Sequence, residues 1–558
     1  MSGFSLSEEQ RTAATSTKAH LLIIAPPGCG KTEVLAHRAA HQINFLEQNQ
    51  RVLALTFTKR ARSNLEERLR SVLGHARSRR QIVVRNLHGF ATQVVLAHGR
   101  TIDLDMKELE LPKTSTMRRA MKTAGGGPAM YDAEQILSEI KRGPLSDAEV
   151  LAAIQQRGPA PEAVLAEKVE RSRQESNQLH YDDLLRHAQR LLRIPAVARL
   201  YQAHFGAVLV DEFQDLSMQQ LDLALLSCTS RRTFAGDPLQ GIYSWAGAAP
   251  DEVEAEIKKT CGEPIRLHES YRSSPKVLET VNSVSKLVDP DSYLVSAQPE
   301  RWPGRGCSAV LVLQDRAAEA ELLRRLAGSI LDRMPEASIG IIARAAWRRE
   351  SIDAALVEEK SFQVRRWDLA IDDPGIVALI QSTVATLAHG ASIMDARQAA
   401  LDAVDPADVD ARELVDNAFD ALEQQRDAVT ARAAVKSIRA SDHKQAIGPG
   451  VHLLNAHTGK GQQFDWVFVI GLEEGHLPGK RNSQGDALAE EQRVLLVMLS
   501  RARHGVVVTR TRMADGMYEP YPATQSRWWP RIRAQYSLAE EIEAHLEADL
   551  PAFPPSPS

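Results

Sequence analysis

Short apolar runs that end in polar residues recur along the chain and predict the strands of buried parallel sheets. The clearest run, residues 208–210, reads Val-Leu-Val and is followed by the carboxyl pair Asp211 and Glu212. A continuous apolar run is typical of a strand that is covered on both faces. Because nucleotides bind at the carboxyl edge of such sheets, the pair is a candidate site of ATP hydrolysis. The alternative is a strand that ends in a solvated acidic turn.

A second apolar run, residues 20–24, leads into a glycine-containing loop and then into a helical pattern from Glu33. The loop closes with Gly-Cys-Gly-Lys-Thr, although its first position is Ala25 instead of the usual glycine. Backbone N–H groups of such a loop and the following helix start bind phosphates. Lys31 is expected to reach the β and γ phosphates, and Thr32 to ligate Mg²⁺. The other predicted ATP contacts of this stretch are Pro27, Gly28, Cys29, Gly30 and Glu33.

The acidic pair complements this loop chemically. Asp211 can hold Mg²⁺ through its waters, and Glu212 can orient and deprotonate the attacking water. ATP and Mg²⁺ are therefore the predicted ligands of the site.

Aromatic residues follow two further strand patterns. The strand that begins at Arg51 ends in Thr56, Phe57 and Thr58 and precedes a basic helix, so it could bind a phosphate backbone and stack a base on Phe57. A core phenylalanine beside a solvated basic helix face is an equally simple interpretation. After residues 232–236, Gln240 could sense the γ phosphate while Tyr243 and Trp245 stack on bases, although aromatics at this spacing are also common in cores.

Two stretches of helical pattern interrupt the strands and divide the chain. The first α/β domain is predicted at residues 1–100 and 180–262, with a helical insertion at 101–179. The second is predicted at residues 263–365 and 445–536, with an alanine-rich helical insertion and no strand signal at 366–444. Residues 537–558 are acidic and then proline-rich, and we expect a frayed tail there.

The composition of the chain excludes only a few classes of protein. A chain of 558 residues is too long for one core. The net charge of −4 argues neither for nor against nucleic acid, because a basic groove can lie on a neutral protein. The four cysteines lack Cys-x-x-Cys pairing, and neither a leader pattern nor an apolar run long enough for a membrane span is present. These features predict a cytoplasmic protein without a membrane partner.

The ordered motifs resemble those of the UvrD, Rep and PcrA group of superfamily 1 DNA helicases, and the match runs from Leu6 to Thr509. The motifs in chain order are Gln10, Gly-Cys-Gly-Lys-Thr, Thr-Phe-Thr, Asp-Glu-Phe-Gln-Asp, Gly-Asp-Pro-Leu-Gln-Gly-Ile-Tyr-Ser-Trp, Ser-Tyr-Arg-Ser, His-Thr-Gly-Lys-Gly and Leu-Ser-Arg-Ala-Arg. The resemblance implies an α/β fold of two RecA-like P-loop NTPase domains with ATP between them, each with a helical insertion. It also implies 3′ to 5′ movement along single-stranded DNA.

The resemblance assigns roles to individual positions. Gln10 would read adenine, Tyr271 would stack on it and Gln463 would hold the ribose. Arg272 and Arg501 would act as arginine fingers, and Gln240 would couple the γ phosphate to DNA. The residues implied in DNA binding are Thr56, Phe57, Thr58, His88, Tyr243, Trp245, His457 and Lys460.

Three positions depart from the family pattern, and both insertions are short for it. Ala246 stands where an arginine is usual, and this affects the coupling between the nucleotide and DNA. Gln463 replaces a glutamate, and Leu496 replaces a tyrosine. A glutamine can still hydrogen-bond a ribose hydroxyl, so we expect weaker ATP binding. Short insertions suggest an enzyme that depends on a partner or that translocates well and unwinds poorly.

Three functions remain open at this stage. The first is a DNA-stimulated ATPase and 3′ to 5′ helicase of DNA repair or recombination, which acts on single-stranded DNA or DNA with a 3′ tail and has a possible repair-factor partner. The second is the helicase-like subunit of a bacterial anti-phage system such as Gabija, which works with a nuclease. The third is a nucleotide-dependent interaction module that does not unwind DNA.

Overall fold

The computed structural model describes most of the chain in sixteen stretches. These are residues 6–57, 59–104, 121, 124–125, 129–244, 247–357, 359–367, 369–371, 374–388, 390–404, 411–412, 415, 418–419, 438–440, 447–515 and 519–548. The chain divides into two units. The first unit comprises Met1–Ala25 and Gly30–Leu267, and the second comprises Pro26–Cys29 and His268–Ser558.

The first unit is built on a six-stranded sheet in which every pairing is parallel. Its strand order is β3-β2-β4-β5-β1-β6. The strands are β1 (His20–Ile24), β2 (Arg51–Thr56), β3 (Ile82–Asn86), β4 (Phe205–Asp211), β5 (Arg232–Gly236) and β6 (Ile265–Arg266). All seven residues of β4 are buried, as its apolar sequence predicts.

Helices surround this sheet and form the first insertion. They are α1 (Glu8–Thr15), α2 (Lys31–Gln42), α3 (Lys59–Leu73), α4 (His75–Gln81), α5 (Leu87–His98), α6 (Met130–Lys141), α7 (Asp147–Gln155), α8 (Pro161–Glu175), α9 (Tyr181–Leu192), α10 (Pro195–His204), α11 (Met218–Ser227) and α12 (Pro250–Cys261). Capping boxes begin α1 and α7, and a proline occupies the first turn of α8 and α10. Helices α6 to α8 bury their own apolar cluster, which includes Leu137, Val150 and Val169.

The second unit contains another six-stranded, fully parallel sheet, of order β11-β14-β10-β15-β16-β9. Short ladders accompany it, of which β17 with β18 is antiparallel. The strands are β7 (Glu269–Ser270), β8 (Val295–Ser296), β9 (Cys307–Leu313), β10 (Ser338–Ala343), β11 (Val364–Arg366), β12 (Leu369–Ile371), β13 (Ile438–Ala440), β14 (Gly450–Asn455), β15 (Phe464–Val469), β16 (Ala502–Thr511), β17 (Met513–Ala514) and β18 (Tyr521–Pro522).

The helices of the second unit pack on this sheet or form the second insertion. They are α13 (Pro275–Ser285), α14 (Arg316–Arg333), α15 (Glu350–Val357), α16 (Pro374–Thr386), α17 (Ile393–Asp402), α18 (Ala456–Gly459), α19 (Gly485–Leu499) and α20 (Ala539–Ala548). With the two parallel sheets, they confirm the predicted α/β fold class. None of the helices in the described part of the chain has the length and apolar character needed to span a membrane.

The expectation that residues 366–444 lack strands is wrong. Strands β12 and β13 lie within this stretch and pair in parallel, with Leu369 opposite Ile438. Each strand has three residues, which is too short to produce a periodic pattern. Their pairing joins segments far apart in the chain, and this could not be inferred from local sequence.

The expectation of a frayed tail from residue 537 is also wrong for α20. Ile542 and Leu546 are about 1% exposed and join the apolar core of the second unit. Their spacing of four places both side chains on one face of the helix, so an acidic segment still buries an apolar stripe. Residues 549–558 lie outside the described residues.

Candidate active site

The predicted acidic pair and the loop lysine meet in the first unit. The Nζ atom of Lys31, at the start of α2, lies 3.1 Å from Oδ1 of the buried Asp211 and also contacts Oε2 of Glu212. Burial lowers the pKa of Lys31, but the two carboxylates outweigh it and hold this pKa above its ordinary value. Burial raises the pKa of Asp211, and Lys31 opposes that effect. A cation in contact with two carboxylates marks where charged phosphate chemistry can take place.

Glu212 has a backbone conformation that is unusual for a residue with a Cβ atom. Its φ of 56° and ψ of 50° lie in the left-handed region directly after β4. The Glu212 N–H donates to Oδ1 of Asp211 at 3.0 Å, and this bond fixes the turn. Strain of this kind clusters at functional sites, where the surrounding structure holds it in place.

Gly30 of the glycine-containing loop has no room for a side chain. Gly30 precedes α2 at a φ of +74°, and a Cβ atom there would lie 2.6 Å from Nε2 of Gln10. Gln10 is buried, and its Oε1 accepts from the Ser7 N–H at 3.0 Å in the cap of α1. The structure therefore brings Gln10 against the loop, as a candidate nucleotide contact requires. The predicted contact Glu33 is ion-paired, with its carboxylate 2.8 Å from Arg68 and 3.1 Å from His37.

A chain of hydrogen bonds connects Glu212 to Gln240 through two residues that sequence reasoning did not single out. The Gln214 Nε2 atom donates to Oε2 of Glu212 at 2.7 Å, and Oε1 of Gln214 accepts from the Asp237 N–H at 3.0 Å. The Gln240 Nε2 atom then donates to Oδ2 of Asp237 at 2.9 Å. Gln214 and Asp237 both lie inside the motifs of the sequence, but their bond depends on the adjacency of β4 and β5.

Asp237 is buried within this chain of hydrogen bonds. Burial raises the pKa of its carboxyl group to about 6, and the bonds from Gln240 and the Leu239 N–H act in the opposite direction. The protonation of Asp237 therefore changes near pH 6, above the range of an ordinary carboxyl group.

The predicted DNA contacts of the first unit differ in their surroundings. The rings of Phe57 and Tyr243 stack, with centroids 6.0 Å apart and planes 17° apart. Thr56 is fully buried, which argues against the expected direct contact of its side chain with DNA. Burial lowers the pKa of His88, whose ring meets the edge of Tyr181. Thr58, Trp245 and Ala246 lie outside the described residues.

The loop tip Pro26–Cys29 groups with the second unit, where it meets two predicted ATP residues. The Tyr271 N–H donates to the carbonyl of Gly28 at 2.9 Å. A Cβ atom on Gly28, whose φ is +85°, would lie 2.6 Å from Cβ of Arg272. Backbone contacts therefore hold Tyr271 and Arg272 at the loop tip.

The remaining predicted residues also lie in the second unit. Arg501 is buried, and its Nε donates to the carbonyl of Val497 at 2.9 Å. Oε1 of Gln463 accepts from Nη2 of Arg503 at 3.0 Å, and Leu496 is buried in α19. His457 lies in α18 directly after β14, and Lys460 follows that helix. The geometry thus accounts for Leu496 as a core residue.

Two groups of residues carry donor atoms that are suited to a metal ion. The hydroxyl of Thr32 and the carboxylate of Asp211 are hard oxygen donors beside a phosphate loop, and this donor set fits Mg²⁺. Among the described residues, Glu170, His180 and Asp183 also lie close enough to share an ion. Lys141 already lies 2.6 Å from Glu170 and 3.0 Å from Asp183, so a cation of the protein already pairs with both carboxylates of that group.

A parallel sheet, a tight glycine loop that opens a helix, and a lysine against an acidic pair define the class of P-loop nucleoside triphosphatases. Comparison with known proteins specifies the family. Residues 6–260 match the UvrD/REP helicase N-terminal domain, and residues 413–513 match the UvrD-like helicase C-terminal domain. The two matches together cover more than half of the chain. The chain therefore belongs to the UvrD/Rep-like helicase family, whose domains are RecA-like P-loop folds, and this confirms the family suggested by the sequence.

Individual relatives agree with this assignment. The ATP-dependent DNA helicase UvrD2 of Mycobacterium tuberculosis is 26% identical over 551 residues, which cover 89% of this chain and 77% of the relative. DNA helicase II of Salmonella typhimurium is 22% identical, with coverage of 90% and 84%. A probable DNA helicase II homolog of Rickettsia felis is 24% identical, with 96% of both chains covered. ATP-dependent helicases hydrolyse ATP, and the chain is an enzyme of this kind.

Proposed function

We propose that the chain is an ATP-dependent DNA helicase that moves 3′ to 5′ along single-stranded DNA and acts in DNA repair or recombination. The names of the relatives support DNA as the substrate. The direction follows from the motif resemblance, and the repair role is the simplest function for a chain of this type. The preferred substrate in this proposal is single-stranded DNA or a duplex with a 3′ tail.

The observation that carries the proposal is the hydrogen-bonded chain from Glu212 through Gln214 and Asp237 to Gln240. Tyr243 lies three residues beyond Gln240 and stacks on Phe57. A change at the γ phosphate that moves Glu212 can therefore be transmitted to an aromatic pair suited to stack bases. This is what a translocating ATPase requires.

Each residue of the first unit has a role in the proposal. Lys31 binds the β and γ phosphates, and Glu212 orients and deprotonates the attacking water. Thr32 and Asp211 hold Mg²⁺, which neutralises phosphate charge when bound. Gln10 contacts the adenine.

The second unit supplies the remaining contacts in this proposal. Tyr271 stacks on the base, Gln463 reaches the ribose, and Arg272 and Arg501 act as arginine fingers. His457 and Lys460 join Phe57, Tyr243 and His88 along the DNA path.

Strand displacement with matched DNA substrates tests the direction and the activity together. Duplexes that carry a 3′ tail, a 5′ tail or blunt ends are incubated with the protein and ATP, and Glu212→Gln serves as the inactive control. The proposal expects displacement from the 3′-tailed duplex. Preference for the 5′ tail would contradict the direction. DNA binding without displacement of any duplex would contradict helicase activity and favour the interaction-module hypothesis.

A further inference from the structure

Trp347 is an exposed tryptophan in the second unit. It follows the end of β10 by four residues, and 47% of its surface is accessible to solvent. Its neighbours in sequence, Arg348 and Arg349, are buried, so the chain turns at this point and directs the indole outward. Large exposed aromatic surfaces often mark binding sites.

Two contacts fix the position of the indole. The guanidinium carbon of Arg316 lies 5.3 Å from the centroid of the indole ring, at a distance typical of a cation–π interaction. The ring of His476 meets Trp347 edge-on at 5.3 Å and 89°. Arg316 is itself held by Asp515, with Nη1 and Oδ2 3.1 Å apart. The indole is therefore pre-organised, while nearly half of its surface stays open.

Trp347 lies at the edge of the sheet that also carries two proposed DNA contacts. Strand β10 lies between β14 and β15, and parallel strands end at the same edge. His457 and Lys460 follow the end of β14, and His476 follows the end of β15. Three neighbouring strand ends therefore bring an aromatic ring and a lysine to one edge.

Two exposed cations at this edge favour an anionic ligand. Arg316 and Arg344 are themselves ion-paired, with Asp515 and Glu491 respectively. The loop after His476 carries the exposed residues Lys480 and Arg481. Exposed aromatic and cationic groups together form the surface that binds single-stranded nucleic acid, in which the base stacks and the phosphate pairs.

We propose that Trp347 is a stacking platform for a base of single-stranded DNA in the second unit, with Arg316 holding the indole in place. This inference rests on the proposed function, because it takes DNA as the ligand. It adds a DNA contact to those that the motifs named in the sequence analysis supply. Base stacking on an aromatic side chain tolerates every base, so the platform would bind DNA without sequence preference.

Fluorescence anisotropy with a labelled oligothymidylate tests the platform. Trp347→Ala is expected to weaken binding about 5-fold to 150-fold, which corresponds to ~1 to 3 kcal/mol of stacking. Trp347→Phe keeps an aromatic face and should recover most of the affinity. The matched control is Tyr521→Ala, which removes a similarly exposed aromatic residue from β18. The midpoint of thermal unfolding shows whether each variant is folded.

A second readout does not depend on the alanine variant. Stacking of a base quenches tryptophan fluorescence, so the oligothymidylate should quench the wild-type protein more than Trp347→Phe. Wild-type affinity in Trp347→Ala, or equal quenching in the two proteins, would overturn the platform. Phe57→Ala in the same assay tests the proposed function separately. If Phe57→Ala loses affinity for the oligothymidylate while Trp347→Ala does not, the platform is wrong and the proposed function stands. If the wild-type protein does not bind DNA, both the platform and the proposed function are wrong.

Discussion

At the scale of single residues, the chemistry depends on how Glu212 is held. Its left-handed backbone and its bond from Gln214 direct the carboxylate toward Lys31. Gln214 is fully buried and uses both ends of its amide group, one to Glu212 and the other to Asp237. In the proposed function, Gln214 is therefore a positioning residue for Glu212, the base that would activate water.

Gln214→Leu tests this role. The substitution keeps the volume of the side chain but leaves Glu212 and the Asp237 N–H without that partner, at a cost of ~1 to 3 kcal/mol. We expect kcat for ATP hydrolysis to fall about 10-fold to 100-fold while KM for ATP changes little. Gln202→Leu is the control, because Gln202 is a partly buried glutamine of α10 whose Nε2 donates to the carbonyl of Leu226 at 3.1 Å. An unchanged kcat in Gln214→Leu would contradict the role.

The pKa of Asp237 predicts a pH dependence of stability. Burial raises this pKa from its ordinary 3.8 to about 6, so the folded protein keeps a proton at pH 5 that the unfolded chain has released. Unfolding then releases a proton, and stability falls as the pH rises from about 4 to about 6. The shift corresponds to roughly 3 kcal/mol.

Asp237→Asn removes this titration. The variant should gain stability relative to the wild-type protein between pH 4 and pH 6, and the difference should be constant above pH 7. Thermal unfolding midpoints at a series of pH values measure the difference. A difference that does not vary with pH would show that Asp237 titrates near its ordinary pKa.

Residue types and their spacing predicted part of the candidate active site. The rest depends on which strands lie side by side in the fold. Lys31, Asp211 and Glu212 could be assigned because a glycine loop and an apolar strand place them at a sheet edge. The link from Gln214 to Asp237 could not be assigned, since it requires β4 and β5 to be neighbours. The burial of Thr56 could not be predicted either, because local sequence does not show which side chains the surrounding elements cover.

At the scale of elements, a buried ionic cluster joins the first insertion to α9. Lys141 of α6 lies 2.6 Å from Glu170 of α8 and 3.0 Å from Asp183 of α9, and all three side chains are fully buried. Arg173 and Arg186 also contact these carboxylates. Cations therefore pair with both buried carboxylates where the three helices meet.

Lys141→Met should destabilise the first unit because it leaves two buried carboxylates short of one cation. Removal of one partner from a buried ion pair costs ~3 to 5 kcal/mol. Lys168→Met is the control, since Lys168 is an exposed lysine of α8 that bonds to the carbonyl of Ala124. Urea unfolding should show the loss for Lys141→Met and a change of about 0.5 kcal/mol or less for the control. Equal stability of the two variants would contradict the structural role of the cluster.

Helix α20 makes a similar test possible in the second unit. Leu546→Ala removes a buried side chain of the core and should lower the free energy of unfolding by ~2 to 5 kcal/mol. Leu538→Ala, just before the helix, removes a side chain that is 57% exposed and should have little effect. Urea denaturation measures both. Equal effects would mean that α20 does not contribute to the core in solution.

At the scale of the whole molecule, the described part of the chain contains two parallel sheets of six strands. The apolar runs predicted the two α/β units because buried parallel strands have a continuous apolar pattern. The pairing of β12 with β13 was missed because it joins two three-residue segments from distant parts of the chain. The ordered motifs predicted the family, since most of them occur at a strand end or helix start, where their chemistry is needed.

The central claim is that ATP hydrolysis by this chain is coupled to single-stranded DNA. Steady-state ATP hydrolysis with and without a single-stranded oligonucleotide tests it most directly, with Lys31→Ala as the blank. We predict strong stimulation by DNA in the wild-type protein and no hydrolysis in Lys31→Ala, because the phosphate-binding charge is lost. Hydrolysis that is independent of DNA would contradict coupling, and turnover by Lys31→Ala would contradict the assignment of the phosphate loop.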